Sequence, residues 1–170
     1  MKQCILLCMI SPIILFTSCK TKSTDTGTRP LTAQEYNDKV IDLEESMSEP
    51  LLKTEAELKA RSDKDDFAGM AQSAKAMEDT VDLRINALKK MDAVGKGGED
   101  FKTVAVRYFE YLKSIYTGYR NIAEAKTDEA KKEASEKMTN ILSAQPGVME
   151  NLRNTQNKYA ADNGFVISEQ

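Results

Sequence analysis

Few side chains in this chain could carry out chemistry, and Cys19 is the first of them. It closes the run Leu15-Phe16-Thr17-Ser18-Cys19, behind two small residues and directly ahead of the polar stretch that opens Lys20-Thr21-Lys22. The other cysteines, Cys4 and Cys8, lie in the apolar segment upstream, and the chain has no histidine. That absence removes several reaction classes at once. Ser-His-Asp and Cys-His nucleophilic catalysis both need an imidazole, and so do the Glu-x-x-His ligand pairs of di-metal four-helix proteins. Histidine-ligated haem is excluded, and so is Cys-x-x-Cys-His attachment. Gly95-x-Gly97-Gly98 follows a helical pattern rather than a strand, so it does not read as a phosphate loop.

Carboxylates are plentiful but poorly arranged for catalysis. Asp65-Asp66, Glu99-Asp100 and Asp128-Glu129 fall where helices should begin, and capping explains them. Glu44-Glu45 is adjacent and mid-helix, so the two side chains diverge by about 100° and cannot clamp a ligand; this pair reads as a solvated face. No EF-hand spacing is present. Neither a metal nor a catalytic residue is therefore expected, and no cofactor.

The remaining chemically interesting side chains are aromatic. The stretch from Phe101 to Ile122 carries Phe101, Tyr108, Phe109, Tyr111, Tyr116 and Tyr119. Aromatic residues at helical spacing usually form core. These, however, cover more than one stripe, and Tyr111 and Tyr116 are expected beside the main seam. A tyrosine there has an apolar body and a wet tip, so the pair could line a groove for an apolar ligand or partner, with Arg107 and Arg120 on its flank.

The N-terminus has the three-part plan of an export signal: Lys2, then an apolar stretch from Cys4 to Phe16, then small residues. The stretch is shorter than the roughly 20 residues that cross a bilayer, and Ser11-Pro12 interrupts it, so it is not expected to be a membrane anchor. The run ending in Ser18-Cys19 resembles a lipobox, in which a peptidase cuts between these two residues after the cysteine has received diacylglycerol; Phe16 departs from the leucine preferred at its position. The resemblance implies a signal over 1–18, lipid attachment at Cys19 and a polar tether over 19–30. Cys4 and Cys8 would leave with the signal, so no disulfide could form. Two or three acyl chains exceed the marginal, reversible binding of one. The tether spans at most about 35–40 Å stretched and about 18 Å as a coil. Lys20 is not the aspartate that retains such proteins in the inner membrane of enteric bacteria. The outer membrane is thus favoured, without a choice between its two faces.

From Leu31 to Gln170 the periodicity is helical throughout. Thr32-x-x-Glu35 is a capping box. It opens a first helix with the stripe Tyr36, Val40, Leu43, Met47, Leu51 and Leu58. A second helix, expected from Ser62 or Asp63, carries Phe67, Met70, Ala74, Met77, Val81, Ile85 or Leu88, and Met91. A third carries Phe101, Val104, Tyr108, Leu112, Ile115, Tyr119 and Ile122. The fourth takes Thr127 as its cap, runs through Met138 and Ile141 to Tyr159, and stops at Asn163-Gly164, where Phe165 can fold back on Tyr159. Short connections make neighbours antiparallel. The predicted fold class is all-α: an elongated up-down-up-down four-helix bundle over 31–170. Pro50 and Pro146 should interrupt helices 1 and 4 at similar height, Pro50 by kinking or locally unwinding its helix and Pro146 by breaking its own.

With signal, Cys19, the Tyr36-Asn37-Asp38 opening and four long helices in view, the chain resembles the small lipoproteins of Bacteroidota. More loosely, it is similar to a family of four-helical surface lipoproteins known also from Leptospira. The resemblance implies a lipid-anchored, non-enzymatic module that binds or scaffolds at the bacterial outer membrane or cell surface. Its partners would be the membrane, through the lipid, and a protein of the envelope. A periplasm-facing carrier, with an apolar small molecule in the bundle interior or a groove, is the alternative. Nucleic acid is not an expected partner, because 24 basic residues face 27 acidic ones and no basic stripe stands out.

Overall fold

The computed structural model describes residues 29–167. The signal, Ser18, Cys19 and nearly all of the tether lie outside the described residues. Among those described there are six helices and no strand: α1 (Ala33–Glu45), α2 (Ser48–Ser62), α3 (Phe67–Lys90), α4 (Gly98–Glu124), α5 (Asp128–Ser143) and α6 (Gln145–Asn163). They build a four-helix bundle in which α1 with α2, and α5 with α6, each make one interrupted column.

The helix ends follow from local chemistry. The Glu35 backbone N–H donates to Thr32 Oγ1 at 3.2 Å, and the Thr32 N–H donates to Glu35 Oε2 at 2.8 Å, completing the capping box. Helix α3 begins later than its sequence suggests, at Phe67, because Asp66 rather than Ser62 or Asp63 caps it, accepting from the Gly69 N–H at 2.9 Å. Thr127 caps α5 through the Ala130 N–H at 3.1 Å. Past Asn163, Gly164 is left-handed at φ 72°. The Phe165 and Gly164 N–H groups then reach back to the Ala160 and Ala161 carbonyls, a Schellman ending. Phe165 meets Tyr159 edge-on at 5.7 Å, as its position implied.

The first column is interrupted just before Pro50, by a break in the helix and not by a proline kink. The chain changes helix at Ser46 and Met47, both right-handed, and Pro50 is the third residue of α2. Pro146 is likewise the second residue of α6. A first-turn residue has no intrahelical acceptor for its N–H, so proline costs nothing there. The prolines therefore mark where new helices begin. Register sets their height: Gln156 Nε2 donates to Asn37 Oδ1 at 2.9 Å and Tyr159 Oη to the Ala33 carbonyl at 3.1 Å. Continued along two antiparallel helices, this register places Met47 opposite Pro146, so both breaks fall at one level. On one side of that level α1 packs on α6; on the other, α2 leans on α3 and α5 on α4.

The end of the bundle where α1 begins is tightly closed. Tyr36, Phe101 and Tyr159 are essentially inaccessible. Phe101 stacks on Tyr159 at 5.0 Å, and Tyr36 meets both rings edge-on. Tyr159 Oη also donates to the Val94 carbonyl at 2.6 Å. Asn163 clips the same loop: it accepts from the Lys96 N–H at 3.0 Å and donates to the Lys96 carbonyl at 2.9 Å. Gly95 makes this approach possible. Its φ is 77°, and a Cβ there would sit 2.3 Å from Asn163 Oδ1. Gly97 shares the left-handed backbone at φ 75°, but a Cβ on it would meet its nearest neighbour at 3.9 Å.

Gly95→Ala is expected to cost about 2–4 kcal/mol, combining left-handed strain of about 1–2 kcal/mol with a broken clip. Gly97→Ala should pay only the backbone part. Chemical denaturation of the two variants beside the parent chain checks this, and equal losses would remove the clip from the account.

Candidate functional site

Two crevices flank α4. Its face toward α5 carries Gly118, and a Cβ there would come within 2.6 Å of Met138 Sδ. That notch lets α5 approach closely, and Met138 is the buried residue of an otherwise shallow helix. Beside it runs a groove of about 560 Å³, with Gly118, Ala130, Ala134 and Ile141 among its apolar residues. Its rim charges are already matched within the chain: Lys113 with Asp82 at 2.6 Å, Glu133 with Lys137 at 2.7 Å, Glu110 with Lys89 at 3.1 Å. A narrow apolar floor with a neutralised rim suits an apolar surface better than an ion.

The second crevice, about 370 Å³, lies between α4 and α6 and is lined by Asp100, Thr103, Val104, Arg107, Thr155 and Lys158 among others. Lys158 is held by Asp162 at 2.7 Å.

The tyrosine–arginine groove expected from sequence does not form as one site. Tyr116 is completely buried and lines no open groove. Burial pushes its hydroxyl pKa well up, with the Glu55 charge adding to the rise. Tyr111 is partly buried, its hydroxyl enclosed without a hydrogen-bond partner. Arg120 is committed to α3: its Nε donates to Glu78 Oε1 at 2.8 Å, and Glu78 is 4% exposed. Arg107 is exposed and reaches a crevice, but the one facing α6. The physical reason is that α4 is buried on a wide arc, so positions beside the seam are covered by neighbouring columns. Ser18 and Cys19 lie outside the described residues.

The acid pair Glu44-Glu45 also needs correction. Glu44 is not on a solvated face; it turns inward, partly buried, and accepts from Tyr108 Oη at 3.1 Å across the bundle. Burial raises its carboxyl pKa to about 7, and the neighbouring Glu45 charge adds to the rise while the Tyr108 hydroxyl opposes it. Tyr108 is itself raised, by burial and then by Glu44. The signal was present in the sequence: Val40, Glu44, Met47 and Leu51 are spaced four, three and four apart, so Glu44 occupies a core position. A carboxyl with this pKa could exchange protons near neutrality. Neither Glu44 nor Tyr108 lines either of these two crevices, however. Among the described residues no group of three or more acidic or cysteine side chains is gathered for a metal. Comparison of the chain with protein-family models, with curated proteins and with solved structures returned no match.

Glu44 gives the fold a defined pH response. Between pH 4.5, its ordinary value, and about 7 the folded chain holds a proton that the unfolded chain has released. Stability from this group therefore falls as pH rises through that window. Glu44→Gln should be similar to the parent at pH 5 and more stable by about 2–3 kcal/mol at pH 8. Urea midpoints at the two pH values test this, and a pH-independent difference would refute it.

Proposed function

We propose that this chain is a lipid-anchored, non-enzymatic helical-bundle module of the bacterial outer membrane, held by acyl chains on Cys19 and acting by binding or scaffolding. The observation that carries the reading is the Ser18-Cys19 pair closing a short apolar run behind Lys2. The fold supports it. The carboxyl raised toward neutrality, Glu44, is enclosed against Tyr108 within the bundle, and the crevice charges are paired within the chain. No described helix is long and apolar enough to cross a membrane.

One observation favours the carrier alternative, the apolar floor of the α4–α5 groove. The interior offers no such space where Tyr36, Tyr116, Tyr159, Phe101 and Phe109 fill it, so cargo would occupy the groove.

Metabolic labelling with an alkyne fatty acid, followed by membrane fractionation, tests the anchor. The parent chain should be labelled and sediment with membranes, and Cys19→Ala should lose both properties. Labelling that survives the substitution would refute attachment at Cys19. Native mass spectrometry of the same material separates the two readings: a co-purifying small molecule supports the carrier, and an empty domain supports the scaffold.

A further inference from the structure

We infer that the bundle is held end-on to the lipid bilayer, with the α3–α4 loop and the end of α6 facing the membrane and the α2–α3 and α4–α5 turns pointing away. This rests on anchoring at Cys19 and adds to it which surface the membrane meets.

The inference starts from where the tether enters the fold. Arg29 is fastened to the first turn of α1, with Nη1 donating to Glu35 Oε2 at 2.9 Å and a second contact between Nη2 and Oε1. The Arg29 guanidinium holds the Glu35 carboxyl down at about 2, so both groups are charged at neutral pH. The covalent path from Cys19 thus ends beside Thr32. Tyr159, bonded to the Ala33 and Val94 carbonyls, and Asn163, clipped to Lys96, make that point part of one rigid end.

Lengths bound the posture, and the surface then selects it. Ten residue steps separate Cys19 from Arg29, reaching about 35 Å when stretched and about 18 Å as a coil. Helix α4, with 27 residues, spans about 40 Å. The near end therefore lies within the tether's ordinary reach, and the turns around Lys64 and Lys126 lie a further helix length away. A bundle lying flat would need an apolar side to offset the loss of hydration. The described residues offer just three large exposed apolar side chains: Leu52, Leu83 and Val166. Val166, 88% exposed, follows the Schellman turn at the near end itself. In the end-on posture the α4–α6 crevice, which includes Gly97 and Asp162, sits beside the headgroups.

Removal of the signal takes Cys4 and Cys8 with it and lipid occupies Cys19, so an introduced thiol would be unique in the mature chain. Val166→Cys and Lys96→Cys report the near end; Lys64→Cys and Lys126→Cys report the far end, all four at exposed positions. Each lipidated full-length variant is labelled with a fluorophore and reconstituted in phosphatidylcholine–phosphatidylglycerol vesicles containing a headgroup-nitroxide lipid. Two-fold or greater quenching is expected at Val166 and Lys96 and little at Lys64 and Lys126. The paired positions guard against a variant that fails to fold. Equal quenching at both ends, or a reversed gradient, would overturn the orientation while leaving the anchor intact. Failure of the parent chain to float with the vesicles would instead overturn the anchor, and the orientation with it.

Discussion

The breadth of the apolar surface on α4 is the constraint on which the rest of the structure depends. Its buried residues include the adjacent pairs Ala105–Val106, Tyr108–Phe109, Ile115–Tyr116 and Gly118–Tyr119. Neighbouring residues on a helix diverge by about 100°, so burying both requires partners on two sides. Helices α3, α5 and α6 all pack on α4. Each large ring removes about 150–250 Å² from water, worth about 4–6 kcal/mol gross at 25 cal/mol per Å², before chain entropy is subtracted. Helix α3 follows one side of this surface as a single antiparallel helix, and the other side is divided between two shorter ones. The fourth column breaks at Ala144, and its halves take different seats: α5 at the Gly118 notch, α6 against Phe101 through Tyr159.

Apolar stripes alone leave the level of one helix against another loosely specified, because Leu and Met pack almost as well one turn along. Polar pairs in this core set the level. Gln156 with Asn37 fixes α6 against α1, and Arg120 with Glu78 fixes α4 against α3. A shift by one turn would leave a buried amide or carboxylate without its partner, at a cost of about 1–3 kcal/mol or more. The same pairs need not add net stability over apolar substitutes, since their desolvation offsets much of their attraction. Their effect here is on which alignment wins.

This division explains how far the sequence could be read. Helix class, the Thr32 and Thr127 caps, the Asn163-Gly164 stop and the stripes were legible because each depends on residues within one or two turns. Four polar residues were not: Asn37, Glu44, Glu78 and Gln156. Each continues an apolar stripe, as Gln156 does between Leu152 and Tyr159, yet a polar residue counted by type alone is assigned to solvent. Position in the stripe outweighed residue type, because a partner on another helix supplied the hydrogen bond. Pro50 was legible as the mark of an interruption but not as part of a helix start: as the third residue of α2, it has no bond to break. Tyr116 and Arg120 were placed on a groove because their covering column could not be seen until α4 was known to be wrapped on several sides.

The same logic bears on how a bundle of this shape resists load applied through its N-terminal segment. Load arriving through the chain at Arg29 meets a short helix, since α1 has 13 residues and few buried apolar side chains of its own. Alone it would peel from the bundle turn by turn. Its first turn is instead tied to two other elements, through Tyr159 to the α3–α4 loop and to α6, with Asn163 closing the third side of that triangle. Separating α1 must therefore break hydrogen bonds and the Tyr36–Phe101–Tyr159 ring cluster together rather than in sequence. Concerted rupture has a higher barrier than stepwise peeling, and the reinforcement sits at the end where residues 29–32 lead into α1. The opposite end is tied by different contacts: Lys131 of α5 lies over the Phe67 ring of α3 at 4.1 Å, Ser73 Oγ donates to Glu57 Oε2 at 3.1 Å, and α2 and α5 pack through Leu58 and Met138. The ring cluster and the loop clip are thus concentrated at the end where the chain enters α1, and they give way only together.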